Sequence, residues 1–287
     1  MQDLEPPLEQ GIQEQVRQAL VEDHAWADAT SDAVVPDGAQ ASGRIVAKAS
    51  GVLSGVKYAR AAFELCEPDG EFHWAAGDGS AVQPGEVVMI CSGSAKGLLA
   101  AERTALNFLQ QLSGVATLTA RAVANGLDLQ ILDTRKTTPG LRDAQKAAVV
   151  AGGGVNHRRD LEDQILIKEN HFVLAGIGYS EAVAKAVAKS GGKIVGAEAQ
   201  NLQQACDALA EGATYVMLDN FPRQTLAAAI QKIRALHPNA QIEVSGGLNP
   251  DSLGQLSGMG VNRVSLGALT HSAPALDLSF LFDEPTA

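Results

Sequence analysis

The chain has 287 residues, 46% of them apolar, and a formal net charge of -11. That length allows one large domain or two smaller ones, and the acidic balance argues against general binding to nucleic acid or to an anionic membrane, which needs a broad basic face. The opening MQDLEPPLEQ lacks a basic stretch followed by an apolar one, no apolar run is long enough to span a bilayer, and Cys66, Cys91 and Cys206 form neither a CxxC pair nor a zinc spacing. These features predict a cytoplasmic protein without export signal or membrane span, its thiols reduced and buried.

In chain order, EQGIQEQVRQALVED predicts a helix, GRIVAKASGVLSG a strand and a glycine-rich turn, VKYARAAFELC a helix and GEVVMICSGSA a strand. LLAAERTALNFLQQLSG predicts a long helix with Leu98, Leu106, Leu109 and Leu112 facing a core and a domain boundary near Ser113-Gly114. Six short β-rich runs follow: LQILDT (129–134), ILIKENH (165–171), KIVGAEA (193–199), YVMLDN (215–220), QIEVSGG (241–247) and RVSLGAL (263–269). Helical patterns separate them. EAVAKAVAKSGG stops at Gly191-Gly192, and NLQQACDALAEG opens at the N-cap Asn201 with Gly212 past its end. FPRQTLAAAIQKIRAL carries Pro222 near its first turn, and Asn249-Pro250 opens a further helix. Strand–helix–strand repetition predicts a parallel sheet with right-handed crossovers, open or closed into a barrel. Gly-x-Gly-x-x-Gly is absent after the first strand, against a dinucleotide fold; Gly152-Gly153-Gly154 reads as a loop after a helix.

Each of the six strands ends in a charged or small polar group: Arg135-Lys136, Lys168, Glu198, Asp219, Ser245-Gly246-Gly247 and Gly267. In parallel α/β folds the carboxyl ends of the strands form the ligand face. One polar strand end is an ordinary turn; six in succession point to a shared site. From Arg135 to His171 the acidic chain turns basic, with seven Lys/Arg against five acids and His157-Arg158-Arg159 at its centre. Arginine and lysine there suit carboxylates or phosphates. The serines and glycines after the last two strands suit a phosphate held by backbone N–H groups. Glu198 and Asp219 suit ribose hydroxyls, a Mg²⁺ ion or a developing cation, with a plain salt bridge as the bland alternative. Together these types predict an acidic ring compound beside a phosphoribosyl donor.

The motifs ERTALNFLQQLSGVATLT, DTRKTTPGLR, KAAVVAGGGVNHR, LIKENH, MLDNF, SGGLN and GALTHSAPALDLSF, in this order over nearly the whole length, resemble the quinolinate phosphoribosyltransferase family, the decarboxylating nicotinate-nucleotide pyrophosphorylases. DTRKTTPGLR is shared with a sister group found with molybdate transport genes, whereas LIKENH favours the quinolinate enzymes; a non-catalytic sensor of a phosphorylated metabolite would not need Glu198 and Asp219. The resemblance implies an α+β N-terminal domain (1–114) and an incomplete α/β barrel of about six parallel strands (115–269). The C-terminal tail (270–287) would pack with the first domain.

It further implies transfer of phosphoribosyl from phosphoribosyl pyrophosphate to quinolinate with loss of CO₂, in NAD biosynthesis. The homodimer, or a higher oligomer built from it, would share its active sites. Quinolinate would meet Arg135, His157, Arg158, Lys168 and, from the other subunit, Arg103, a residue that spacing alone marks only as a solvated helix position. Lys136, Glu198 and Asp219 would handle the donor, with Mg²⁺ reached mostly through substrate, and Ser245, Gly246, Gly247 and Gly267 would hold phosphate. The sequence departs from the family pattern at Arg159-Asp160, at Gln200 and in EDHAWADAT, which bears on local loop shape.

Overall fold

A computed structural model of the chain describes residues 7–283. The opening MQDLEP and the last four residues of the 270–287 tail lie outside the described residues. The chain divides into two compact units: the described parts of Met1–Thr117 and Ala273–Ala287 form one, Leu118–Ser272 the other.

The first unit begins with α1 (Pro7–Glu22) and α2 (Ala29–Val34), capped by Asp28, whose carboxylate accepts the N–H groups of Thr30 and Ser31. Then come β1 (Gln40–Ala47), β2 (Gly51–Val52), α3 (Val56–Cys66), β3 (Glu71–Trp74), β4 (Ala81–Val82), β5 (Val87–Ser94) and α4 (Ala95–Gly126). An antiparallel sheet runs β12-β1-β5-β3, where β12 (Leu278–Phe282) comes from the chain's end. Phe63 of α3 packs on Phe72 and Phe280 of that sheet, with ring centroids 5.4 and 5.8 Å away. The leucine stripe of α4 is buried as predicted: Leu98, Leu106, Leu109 and Leu112 are each 2% exposed or less. The helix, however, runs straight through Ser113-Gly114. A Cβ on Gly114 would lie 2.1 Å from the carbonyl oxygen of Pro274, so this glycine admits a close backbone approach and does not end the helix. Cys91 is buried and Cys66 and Cys206 half-buried; all three are free, so burial was expected too broadly. Burial pushes the Cys66 and Cys91 thiols up to about 11.

The second unit holds six parallel strands: β6 (Gln130–Leu132), β7 (Ile165–Ile167), β8 (Val195–Ala199), β9 (Tyr215–Asp219), β10 (Gln241–Ser245) and β11 (Arg263–Ser265). All six β-rich runs of the sequence are strands. Their order is β6-β11-β10-β9-β8-β7, so the first strand pairs with the last, and the sheet curls into an incomplete barrel. Between strands lie α5 (Arg142–Ala151), α6 (Glu169–Ala175), α7 (Tyr179–Ala188), α8 (Leu202–Ala210) and α9 (Arg223–Leu236), with α10 (Ala268–His271) after β11. Ile230 and Ile233 of α9 are fully buried, each worth roughly 1.5–3 kcal/mol by transfer from water. Val183 of α7 and Ala208 of α8 pack with Val195 and Ala197 of β8.

Two boundaries differ from expectation. ILIKENH does not stay extended to His171: the strand stops at Ile167 and α6 starts at Glu169, where His171 Nδ1 accepts the Lys168 N–H. Asn249-Pro250 opens a 3-10 helix (Pro250–Gln255) and not an α-helix, with Asn249 Oδ1 accepting the Asp251 N–H. Gly152-Gly153-Gly154 forms the expected loop after α5, and beyond it Val155 bridges Leu132 in parallel on the free side of β6. No helix among the described residues is long and apolar enough to cross a membrane.

Candidate active site

Strand register sorts the barrel's side chains into layers. Glu198, Met217, Glu243 and Arg263 stand level on four adjacent strands. One pleat further, Asp219, Ser245, Ser265 and Leu132 form the next row. One pleat back, Gly196 and Tyr215 are paired, and the Tyr215 ring fills the space a Cβ on Gly196 would occupy, 2.2 Å from Cζ. Because side chains alternate along a strand, these rows point into the barrel, while Ala197, Val216, Ile242 and Val244 face the helices. All four of those are buried.

Above the inner rows opens a cavity of about 550 Å³. Ten of the predicted residues line it: Arg135, Lys136, His157, Arg158, Lys168, Glu198, Asp219, Ser245, Gly246 and Gly247. Gly267 lies beside it, where a Cβ would come within 2.9 Å of Lys136 Cδ. Arg103 belongs to α4 in the first unit and does not line this cavity; its side chain is 59% exposed and 3.8 Å from Glu102. A wider concavity of about 900 Å³ in the first unit presents Asp69, Glu71 and Asp283 and no cation, so its chemistry suits no acidic ligand.

Within the barrel cavity the charges are arranged unequally. Lys168 is paired with Glu198, whose backbone carbonyl accepts the Tyr179 hydroxyl at 2.9 Å. Asp219 accepts the Asn220 amide at 3.0 Å. Arg158 donates to the Gln164 carbonyl at 3.0 Å, and burial, then the charge of Arg135, lowers its guanidinium below the usual range. Arg135 Nε is buried with no hydrogen-bond partner among the described residues. Among the described residues neither guanidinium has a carboxylate within ion-pair distance. Gly246 and Gly247 have φ of +89° and +60°, and Asn220 Oδ1 lies 2.2 Å from where a Gly246 Cβ would stand. Only glycine allows that turn, which bares successive N–H groups as an anion cradle.

Beneath the cavity lies a polar network that sequence reading missed. Asp133, fully buried at the end of β6, accepts from Lys146 at 2.5 Å and from the His157 N–H at 2.9 Å. Lys146 also donates to the His157 carbonyl at 2.9 Å. With its amide turned to satisfy the network, Asn156 donates to Asp133 Oδ2 at 2.6 Å and to the Lys146 carbonyl at 3.0 Å. Burial pushes the Asp133 carboxyl up against the pull of Lys146. Glu243, Arg263 and Tyr215 form a second group below His157. A signal for these existed: Glu243 and Arg263 are charges inside otherwise apolar parallel strands. Arg159, one of the departures from the family pattern, faces away from this network and makes two bonds of 2.8 and 2.7 Å to Asp143.

Two family models cover most of the chain: the quinolinate phosphoribosyl transferase N-terminal domain matches residues 28–113 and the C-terminal domain residues 115–281. The nicotinate-nucleotide pyrophosphorylase [carboxylating] of Mycobacterium leprae is 39% identical over 269 residues, covering 92% of this chain and 94% of that protein. The enzyme of that name from Rattus norvegicus is 38% identical over 251 residues, 86% of this chain and 83% of its own. Among solved structures, NadC from Streptococcus pyogenes superposes with a TM-score of 0.88 at 36% identity, covering 99% of this chain and 100% of its own. The chain belongs to the quinolinate phosphoribosyl transferase family.

Proposed function

We propose that this enzyme transfers the phosphoribosyl group of phosphoribosyl pyrophosphate to quinolinate, releasing CO₂ and pyrophosphate and forming nicotinate mononucleotide. The observation that carries this reading is the pair Arg135 and Arg158, two guanidinium groups in one cavity with no carboxylate at ion-pair distance among the described residues, which suits the two adjacent carboxylates of quinolinate. The pyridine nitrogen attacks C1 of the ribose, and the C1–O bond electrons leave with pyrophosphate. Glu198 and Asp219 face the ribosyl group and stabilise its oxocarbenium-like transition state electrostatically. Ser245, Gly246 and Gly247 hold the 5-phosphate, beside Gly267, and Lys136 meets the pyrophosphate. Once alkylated, the ring is cationic; the C2–carboxylate bond breaks, its electron pair stays on C2, CO₂ departs, and C2 takes a proton from solvent. Lys168 is paired with Glu198, so its amine meets a carboxylate and is not offered as a Schiff-base nucleophile.

Among the described residues no cluster of three or more His, Cys, Asp or Glu side chains could cage a metal. Glu198 and Asp219, two carboxylates lining the cavity, would hold a Mg²⁺ ion brought in on the donor's phosphates. When bound, that ion supplies charge neutralisation for the departing pyrophosphate. Free thiols and the biosynthetic role of the family fit a cytoplasmic enzyme.

Incubation with quinolinate, phosphoribosyl pyrophosphate and Mg²⁺ should yield CO₂ and nicotinate mononucleotide in equal amounts; neither appearing, with binding of both substrates intact, would overturn the assignment. The exposed Arg103 suits a role across a homodimer, reaching the partner's site. Arg103→Ala and Lys168→Ala should each be nearly inactive alone. Mixed as heterodimers they leave one intact site in two, so random exchange should restore about a quarter of wild-type activity. No recovery despite confirmed subunit exchange would show that Arg103 serves elsewhere.

A further inference from the structure

His157 is expected from the sequence as one more cation on the acceptor, yet each of its polar atoms is already committed. Its N–H donates to Asp133 and its carbonyl accepts from Lys146. Its Nδ1 accepts the backbone N–H of Arg158 at 2.7 Å. A backbone N–H can only donate, so Nδ1 keeps its lone pair and the ring proton sits on Nε2. Nε2 faces Glu243 Oε1 and the Tyr215 hydroxyl, each at 3.4 Å. Glu243 is fully buried on β10, and its carboxylate accepts no well-directed hydrogen bond among the described residues. Arg263 Nε lies 2.9 Å from Oε2 but off the hydrogen-bond angle, while its guanidinium stacks 3.9 Å from the Tyr215 ring centre. Burial pushes the Tyr215 phenol up, so it stays uncharged. A buried carboxylate in this setting demands donors: Arg263 Nε lies against Oε2, and the Nε2–H of His157 is the donor nearest Oε1, facing it without a fully aligned hydrogen bond.

We propose that Glu243 is a positioning residue for the reaction: through Nε2–H it selects the ring form of His157 whose Nδ1 anchors the N–H of Arg158, and so fixes where the Arg158 guanidinium meets an acceptor carboxylate. With the proton on Nδ1 instead, two N–H groups would face each other and the Arg158 backbone would have to move. His157 is then a neutral wall. Arg135 and Arg158 meet the dianion, one guanidinium per carboxylate, and Lys168 is already balanced by Glu198. The identity of the acceptor rests on the function proposed above; the ring form of His157 does not.

Nitrogen-15 NMR of the labelled wild-type protein tests the ring form directly, with His157 assigned by comparison with His157→Gln. A single form protonated at Nε2 is expected; protonation at Nδ1 overturns the proposal. The second arm is the double variant Glu243→Leu with Arg263→Met, which removes both charges and leaves none buried alone. It should show mixed ring forms and a quinolinate KM raised about tenfold or more, with the KM for phosphoribosyl pyrophosphate within about threefold. Glu243→Gln, which keeps an oxygen toward Nε2, should retain the wild-type ring form and most of the quinolinate affinity. A folded double variant with wild-type ring form and quinolinate KM overturns the proposal. If the double variant does not fold, the wild-type spectrum and Glu243→Gln decide: loss of the Nε2–H form in that variant, with the oxygen still present, would also overturn it. A wild-type protein in the Nε2–H form that fails to turn over quinolinate would sink the substrate assignment and not the positioning.

Discussion

Replacing Lys146 by methionine removes the ammonium beneath His157 while keeping most of the side-chain volume. Asp133 is left fully buried, with the His157 N–H and the Asn156 amide but no positive charge. The carboxyl can escape this by taking a proton. Bringing a carboxyl of ordinary pKa 3.8 to the neutral form at pH 7 costs about 1.4 kcal/mol per pH unit, or about 4 kcal/mol. The lost bond from Nζ to the His157 carbonyl adds about 1 kcal/mol. The expected loss of about 4–5 kcal/mol agrees with the roughly 3–5 kcal/mol typical of a buried pair broken on one side. The sign of the pH dependence follows. Without Lys146 the folded-state pKa of Asp133 rises further above its unfolded value. A raised carboxyl destabilises above the unfolded pKa, and the penalty shrinks as pH falls toward it. Urea unfolding of Lys146→Met against wild type should therefore show a penalty smaller by about 3 kcal/mol at pH 5 than at pH 7. A loss under about 1 kcal/mol, or one independent of pH, would refute the claim that this pair organises the site from below.

Nicotinate, with one carboxylate, should be a poor acceptor: one lost charged hydrogen bond costs about 1.5–3 kcal/mol, and equal kcat/KM for nicotinate and quinolinate would remove the two-guanidinium reading. If the charge of Asp219 acts on the ribosyl transition state as proposed, Asp219→Asn should lower kcat more than it raises the quinolinate KM; an unchanged kcat would make Asp219 structural. Gly246→Ala forces a side chain into the left-handed region and against Asn220, at a cost of about 1–2 kcal/mol from the backbone alone. Its KM for phosphoribosyl pyrophosphate should rise while quinolinate binding holds, and a wild-type donor KM would show that the turn does not cradle phosphate.

Residue type and spacing were enough to read the set of parallel strands and the chemistry at their ends. Short β-branched runs alternating with 3.6-period helices admit few other architectures, and each strand's last polar residue could be read without knowing which strand lay beside which. Arg135, Lys168, Glu198, Asp219 and the Ser245–Gly247 turn were legible for that reason, Arg158 from the basic cluster around it, and all of them line one cavity. Arg103 was not legible from spacing, since an exposed arginine on a helix carries no local mark of its use.

Tertiary structure alone decided the rest. The order β6-β11-β10-β9-β8-β7 sets the first strand beside the last, and the level row Glu198, Met217, Glu243 and Arg263 exists only once register is set. Likewise Gly114 reads locally as a helix breaker, and only the approach of Pro274, 160 positions further along the chain, shows why a glycine stands inside a continuing helix. Asp133 and Lys146 look in sequence like ordinary charges on either side of a turn. Folding removes both from water, and burial turns an unremarkable pair into the support on which His157 and Arg158 stand. Burial and strand adjacency are long-range properties, and residue type and spacing carry no record of them.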